Sequence, residues 1–393
     1  MPDSAAPSEL DREVRIGPCH FPVRIRAGRA GRTAREELSR AFAALGARRF
    51  LVITEGRAPL GLRADDPLGD ALAEVLAALE STESVRAPAP TPELAPVPTR
   101  VPAPVPAPVP APARGTAVVA VGGSRLLRAA AQAAGAAPLV LVPTTLTAMC
   151  DAAVAVHWDA DAGCFRAPAL VWSRPGLLRA APAERSGLYP LLRNVLAVCP
   201  YHFDSVAARL RAAGRYEPAT LAGFVALCVD ARSAVLDDDP LGRGRGAVLE
   251  YGTPLARAAG APPELGLLVA GRLAGRLGLL DADGRRAHRE LLARAGLPTA
   301  VLPGHRATGP GAPEWVRDLE AGLELVLLDA LGQPHCTNGS LLTPVRAADL
   351  RAVLPWTQAP AQAQAQGQGQ GQGPLPAAIP LARVTVAVAQ AMG

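Results

Sequence analysis

The sequence contains no lysine: all 40 of its basic residues are arginine. A GC-rich genome explains this bias, but its chemical consequence holds whatever the origin. No ammonium group is present to act as a general base, form a Schiff base or clamp a phosphate compactly. Arginine binds phosphate, yet it stays protonated and is a poor proton shuttle. Mechanisms that depend on a reactive lysine are therefore excluded.

Aromatic residues and dense basic runs are also scarce. Aromatics make up 4% of the 393 residues, and the arginines are scattered among Ala and Leu. The net charge of +5 is therefore not typical of a nucleic-acid-binding surface, and we expect no nucleic-acid partner. No uncharged apolar run of 18 residues occurs, so we expect no membrane span. The N-terminal segment carries acids and lacks an apolar core, which predicts a cytoplasmic protein without a secretory signal.

The cysteines form no metal or disulfide pattern. None of the six lies in a C-x-x-C pair, and no histidine lies at zinc-finger spacing. We expect buried free thiols.

The first part of the chain alternates strand-like and helix-like segments. FPVRIRAG (21–28) and RRFLVITEG (48–56) have the pattern of strands, whereas TAREELSRAFAALG (33–46) and PLGDALAEVLAALEST (67–82) have helical spacing. A β-α-β-α order favours a parallel sheet with helices packed on it.

Further along, the apolar period turns to 3.6 and indicates helices. We predict an α/β domain over 12–183 and an all-α domain over 184–357. A proline-rich insertion at 87–114 interrupts the first domain. Its Pro-Ala and Pro-Val repeats cannot donate ladder hydrogen bonds, which predicts polyproline II or no regular structure. Residues 358–380 have the composition of a low-complexity linker and tail.

The segment VAVGGSRLL has the pattern of a strand, a glycine turn and the start of a helix. Gly122 and Gly123 let backbone N–H groups approach a pyrophosphate at a helix N-terminus, and Ser124 adds a hydroxyl. Glu55 ends an earlier strand, where an acid can hold a ribose hydroxyl. The segment predicts a dinucleotide-binding turn; the alternative is a strand-turn-helix without a ligand.

Three further segments are VPTTLTAMCDAAV, SGLYPLLRNVLAVCP and VLEYG, of which VPTT and VLEYG, in this order, are fairly specific. With others in the same order over about residues 15–355, they resemble the dehydroquinate-synthase superfamily of sugar-phosphate cyclases, above all its 2-deoxy-scyllo-inosose synthase branch in aminoglycoside biosynthesis. The resemblance implies a Rossmann-like domain plus a helical domain, with NAD and a divalent metal in the cleft between them. The family reaction oxidises an alcohol transiently, eliminates phosphate, reduces the ketone and closes a carbocycle.

The resemblance also assigns cofactor residues. Thr144 and Thr145 match threonines that contact NAD, and Asp151 matches a position near the nicotinamide. The family's third turn glycine is serine in this chain, and its following aspartate is Arg128. NAD binding is therefore expected with an altered pocket.

The metal ligands implied by the resemblance, one Glu and two His, are missing. Pro190 stands at the Glu position, TPLARAAG follows VLEYG without the paired histidines, and Ala259 lies roughly at the remaining histidine position. A catalytic zinc needs three protein donors in fixed geometry. We therefore predict no metal-binding residues.

Arg193 and Arg232 stand at lysine positions of the family, and His157 falls at a third. The arginines can bind an anion with two hydrogen bonds each, and His157 can serve as a base near neutral pH. With Glu250 of VLEYG they form the candidate catalytic set. The alternative is a surface histidine and two solvated arginines.

Three functional hypotheses follow. The first is a divergent cyclase acting on a sugar phosphate such as glucose 6-phosphate, degenerate because the metal ligands and lysines are absent. The second is a non-catalytic partner or regulator of an intact cyclase, as a homodimer or a heterodimer. The third is a metal-free NAD-dependent oxidoreductase with His157 as base.

Overall fold

The computed structural model describes residues 9–28, 31–55, 67–83, 93–95, 112–178, 187–258, 261–300, 323–353 and 384–390. Its fourteen strands, in chain order, are β1 (Glu9–Ile16), β2 (Cys19–Arg26), β3 (Arg49–Glu55), β4 (Glu93–Ala95), β5 (Thr116–Gly122), β6 (Leu139–Pro143), β7 (His157–Asp159), β8 (Cys164–Arg166), β9 (Leu170–Ser173), β10 (Leu323–Val326), β11 (Leu328–Ala330), β12 (Gln333–Pro334), β13 (Leu342–Val345) and β14 (Val384–Gln390).

The helices divide between the two parts of the chain. Those of the N-terminal part are α1 (Arg32–Ala44), α2 (Pro67–Glu83) and α3 (Ser124–Ala133). Those of the C-terminal part are α4 (Tyr189–Ala197), α5 (Phe203–Arg209), α6 (Pro218–Leu236), α7 (Thr253–Ala258), α8 (Pro263–Arg276), α9 (Ala282–Arg294) and α10 (Ala347–Val353). A short π-helix at Ala148–Ala152 and 3₁₀ turns at Pro175–Leu177, Pro200–His202 and Arg245–Glu250 complete the set.

The main sheet has eight strands in the order β1-β2-β9-β6-β5-β3-β14-β4. The pairs β2–β9, β9–β6, β6–β5 and β5–β3 are parallel, which confirms the prediction from the β-α-β-α order. Every residue of β5 is buried, as expected for a parallel strand covered on both faces. The carboxyl ends of these strands form one edge, where the candidate site lies.

Each face of the sheet has its own core. On one face, α1 and α2 pack Phe42 and Val75 against Val119 of β5. On the other face, α3 and the helical part share one continuous core, to which Leu192 of α4 and Phe224 of α6 belong. The helical part is therefore packed directly against the sheet.

The fold agrees with an N-terminal α/β region followed by a helical region, and the four local segments predicted within 21–82 are confirmed as β2, α1, β3 and α2. The expectation that 184–357 is wholly helical is wrong for its end, where β10–β13 and β11–β12 form small antiparallel sheets. Buried apolar runs of four to eight residues fit a strand as well as a helix, so periodicity could not separate them.

Two strands near the low-complexity segments were not expected. β4 lies within the proline-rich insertion 87–114, and it pairs with β14, which lies beyond the 358–380 segment. Its residues, Glu-Leu-Ala, include no proline, so their N–H groups can join a ladder. The rest of the insertion up to residue 111, and all of 358–380, lie outside the described residues.

Helix α6 is long and apolar enough to cross a membrane by length and composition, with a mean hydropathy of 1.6. It packs instead within the protein core, where it buries Phe224, Val225, Cys228 and Val229.

Candidate functional site

The glycine turn joins β5 to α3 as the sequence predicts. Gly122 ends β5, Gly123 is the N-cap of α3 in extended conformation, and Ser124 is the first helical residue. No side chain caps this N-terminus, and no acid lies in the first turn of α3. The N–H groups of the first turn of a helix have no intrahelical partner, so this end favours an anion.

The neighbouring threonines hold the turn in place. The Thr144 amide donates to the Gly122 carbonyl at 3.0 Å, tying the end of β6 to the end of β5. The Thr145 hydroxyl accepts from the amide of Ala148, the first residue of the π-helix, at 3.2 Å. That hydroxyl thus already makes an internal hydrogen bond.

Asp151 lies in the π-helix and is surrounded by three guanidinium groups. Arg232 of α6 forms a close ion pair with it, Arg128 of α3 lies 3.4 Å away and Arg193 of α4 lies 3.7 Å away. We call these four residues the Asp151 cluster. The structure therefore brings together two predicted arginines and the predicted acid, and it adds Arg128.

The charges of this cluster shift one another. Burial alone would raise the pKa of Asp151, but Arg232, Arg193 and Arg128 together lower it below its usual value. Burial lowers the pKa of Arg232, although Asp151 opposes that effect. The pKa of Arg193 is raised, because the attraction of Asp151 and other groups outweighs burial. Asp151 is thus an anion enclosed by cations.

Arg193 is buried and only 11% of the Arg232 side chain is exposed, so neither arginine is solvated as the alternative had it. The Arg232 Nε also donates to the Val154 carbonyl at 2.9 Å. Arg193 is 3% exposed, donates from Nε and Nη2 to the Asn194 Oδ1 at 3.2 Å, and lies 5.6 Å from the ring centre of Tyr189. The Arg193 guanidinium therefore has a neutral amide as its nearest partner.

The positions assigned to metal ligands are filled by direct contacts within the protein. Pro190 is buried in the first turn of α4. Tyr189 beside it reaches the end of VLEYG, where its hydroxyl donates to the Tyr251 carbonyl at 2.8 Å and lies 2.6 Å from the Oγ1 of Thr253, the residue after the motif. Ala259 lies outside the described residues. Within the described parts of the chain, no three His, Cys, Asp or Glu side chains form a metal-binding group.

The other predicted residues lie around this centre or apart from it. Glu250 is exposed at the end of a 3₁₀ turn, and its charge acts on Arg193 and Tyr189. His157 starts β7 and pairs in register with Arg166 of β8. Among the described contacts, none joins His157 to Arg193 or Arg232. Glu55 ends β3 as expected, and its side chain lies outside the description.

Sequence reasoning missed three residues of the site. Arg128 was noted only as a departure from the family, although its place one turn into α3 puts it beside the π-helix. No local pattern predicts the contact of Tyr189 with Thr253, because it joins segments 64 residues apart. The adjacency of Tyr189 to the substituted Pro190 was the one available indication.

Comparison with known proteins agrees with the motifs. No protein-family model matches the chain. The chain is 33% identical over 237 residues to the 2-deoxy-scyllo-inosose synthase of Streptoalloteichus tenebrarius, covering 53% of this chain and 61% of the relative. It is 32% identical over 252 residues to the synthase of Streptomyces lividus, covering 57% and 65%. The matches thus span less than two thirds of these two relatives. The synthase of Micromonospora echinospora is 30% identical over 265 residues, covering 60% and 67%.

Solved structures agree with the fold. A crystal structure of 2-deoxy-scyllo-inosose synthase complexed with carbaglucose-6-phosphate, NAD⁺ and Co²⁺ matches with a TM-score of 0.63 and 20% identity, covering 88% of this chain and 99% of that one. A second structure of such a synthase matches with the same TM-score. Sequence relatives and fold therefore agree: the chain belongs to the dehydroquinate-synthase superfamily of sugar-phosphate cyclases.

Proposed function

We propose that this protein is a degenerate sugar-phosphate cyclase homologue that binds a sugar phosphate such as glucose 6-phosphate at the Asp151 cluster. One observation carries the proposal: three guanidinium groups face a single carboxylate, and of these Arg193 is buried while only 11% of the Arg232 side chain is exposed. Buried charge without a matching counter-ion is unfavourable, so the cluster favours a further anion. Guanidinium groups bind phosphate oxygens in pairs, which suits a phosphate ester.

Of the three arginines, Arg193 lies farthest from Asp151, so its charge is the least completely paired. Its nearest partner is the amide oxygen of Asn194, and Asp151 is shared with Arg232 and Arg128. A phosphate near Arg193 would complete its charge pairing. Glu250, at the exposed rim, would face the sugar hydroxyls as a hydrogen-bond acceptor.

NAD fits part of the site. Gly122, Gly123 and Ser124 offer an uncapped helix N-terminus for the pyrophosphate, and the Thr144 amide fixes the turn. NAD, when bound, supplies the reversible acceptance of a hydride from a substrate alcohol. Asp151, assigned by the resemblance to the nicotinamide, is held by arginines here. We therefore propose NAD as a ligand of the turn.

The metal does not fit the residues present. Pro190 has no donor for a cation, and the Tyr189 hydroxyl beside it is already bonded to Thr253. We derive no step through a metal. Without its Lewis acid, the family reaction would lose several kcal/mol of transition-state stabilisation, or about 10³-fold in rate. The missing donors therefore support the degenerate assignment, and the role of His157 as a base stays a prediction.

Calorimetry on the purified chain tests this function. Glucose 6-phosphate should bind the wild-type protein, and Arg193→Gln should weaken it at least tenfold, since a charge-assisted pair of hydrogen bonds is lost. The control is Arg294→Gln, which removes an arginine from an exposed pair on α9 and should leave the affinity unchanged. Inorganic phosphate should not be released from the sugar. Absence of binding, or turnover comparable with an intact cyclase, would overturn the proposal.

The same observations support a role as a non-catalytic partner of an intact cyclase. The support for this role is that the chain keeps the fold of a synthase, with a TM-score of 0.63, while lacking the family's metal ligands and lysines. We propose a homodimer or a heterodimer with a related cyclase. Sedimentation of the chain alone and mixed with an active synthase tests this role. A monomer in both samples would contradict it.

A further inference from the structure

A groove of about 600 Å³ lies apart from the glycine turn and the metal positions. It runs between the second half of α3 and the β7–β8 hairpin, over the start of β6 and the segment before β9. Its volume is that of a small-molecule site. In a doubly wound sheet this place is usually covered by a helix, but here a π-helix and a short hairpin follow β6.

The groove is lined by cations and by no anion. Its ionisable lining residues are Arg128, His157 and Arg166, and no Asp or Glu occurs among the residues that line it. Each arginine has one carboxylate partner that does not itself line the groove. Asp159 lies 3.2 Å from the Arg166 Nε, and Asp151 lies 3.4 Å from Arg128. Each guanidinium has five N–H donors, so one carboxylate leaves most of them free for another acceptor.

The floor of the groove is apolar. It consists of Leu139 and Leu141 from β6, Val156, Phe165 and a series of alanines. Phe165 is fixed by an edge contact with Trp158, with ring centres 4.9 Å apart. Such a floor under a cationic rim favours a molecule with an apolar body and one anionic group. A bare sugar phosphate has no apolar body to place there.

We propose that this groove binds a small organic anion, in which an apolar or aromatic body lies on the floor and a phosphate or carboxylate group is held by Arg166 and Arg128 with His157 beside them. This site goes beyond the proposed function. It shares Arg128 alone with the Asp151 cluster, and Arg166 contributes nothing to that cluster.

The probe is phenyl phosphate, with phenol as the matched neutral compound, titrated calorimetrically into the full chain. Phenyl phosphate should bind, and phenol should bind at least tenfold more weakly because it lacks the anion. Arg166→Gln should weaken phenyl phosphate at least tenfold. Arg294→Gln removes the same charge from exposed α9 and should have no effect.

A second variant keeps every charge. Ala155→Trp fills the groove with an indole and should also reduce phenyl phosphate binding at least tenfold. Thermal unfolding of both variants shows whether they fold. If phenyl phosphate bound the wild type and both variants equally, it would bind outside the groove, and the proposal would be overturned. If phenyl phosphate did not bind the wild type at all, the proposal would also be overturned. A wild-type dimer that Ala155→Trp splits would make the groove a subunit interface, which also overturns it.

The test is separate from that of the proposed function. Arg166 and Ala155 lie outside the Asp151 cluster, so glucose 6-phosphate binding should survive both changes. Loss of phenyl phosphate with retention of glucose 6-phosphate identifies the groove as an independent site.

Discussion

The phenol oxygen of Tyr189 lies 2.6 Å from the hydroxyl oxygen of Thr253, and this contact joins the start of α4 to the start of α7. These segments are the ones to which the family resemblance assigns metal ligands. Burial raises the pKa of Tyr189, so its hydroxyl stays protonated and available as a donor. A neutral hydrogen-bonded pair thus stands where the family needs a charged site.

The first prediction concerns metal content. We expect the purified chain, dialysed against zinc or cobalt and then against buffer, to retain far less than one ion per chain. The physical reason is that Pro190, Tyr189 and Thr253 provide no set of three suitable donors. Atomic absorption measures the ratio. One tightly bound ion per chain would contradict the prediction and reopen the cyclase reaction.

The second prediction concerns Asp151. Asp151→Asn removes the carboxylate from the buried guanidinium group of Arg193 and the largely enclosed one of Arg232, so we expect a loss of about 3 kcal/mol in the free energy of unfolding. Urea denaturation measures it. The matched control is Asp159→Asn, which breaks a pair on the more exposed hairpin and should lower stability far less, because solvent screens that pair. Equal losses would show that Asp151 is not held by buried charge.

Much of the sheet was predictable because its signals are local. The apolar run before Gly122 and the amphipathic segments of α1 and α2 specify their own conformations. β1 was missed because its residues alternate charged and apolar only weakly, and it is fixed by pairing with β2 along its whole length. Edge strands of this kind depend on a partner that local patterning does not show.

The candidate site was predictable in its residues more than in its contacts. Family resemblance singled out Asp151, Arg193 and Arg232, and they do meet. The ion pair between Arg128 and Asp151 depends on how α3 and the π-helix lie relative to each other. The spacing of residues along the sequence does not predict that arrangement. His157 was grouped with the arginines by position in the motif, but the hairpin carries it to the wall of the groove.

The third prediction concerns pH. His288 is buried, and its Nδ1 donates to the Gly284 carbonyl at 2.7 Å, so its Nε2 accepts from the Tyr251 hydroxyl at 2.8 Å. Burial lowers the pKa of His288 to about 4. On lowering the pH, His288 is therefore protonated near pH 6.5 in the unfolded chain but only near pH 4 in the folded chain. Stability is full above pH 6.5 and falls as the pH drops towards 4.

Between pH 7 and pH 5 this effect amounts to about 2 kcal/mol, measurable by urea denaturation at both values. His288→Gln should remove that part of the pH dependence. Tyr251→Phe is the matched control: it deletes the hydrogen bond, lowers stability by about 1 kcal/mol at both values and leaves the histidine buried. A pH dependence unchanged in His288→Gln would assign it to other groups.

The last prediction concerns the close approach of α8 to Gly252, the last residue of VLEYG. A Cβ at Gly266 would lie 2.0 Å from the Gly252 carbonyl oxygen, and Gly252 itself has a φ of +79°. Gly266→Ala should therefore force the two backbones apart and lower the free energy of unfolding by about 3 kcal/mol. Because Tyr189 bonds to the Tyr251 carbonyl in the same segment, the change should also disturb the contact with Thr253.

The matched control is Gly223→Ala on α6, where a Cβ would meet nothing within 4 Å. There the substitution adds a better helix former without a clash, so stability should rise by about 0.5–1 kcal/mol. Chemical denaturation of the two variants beside the wild type measures both effects. If Gly266→Ala were as stable as Gly223→Ala, the close backbone contact between α8 and Gly252 would not be needed for stability, which would contradict the prediction.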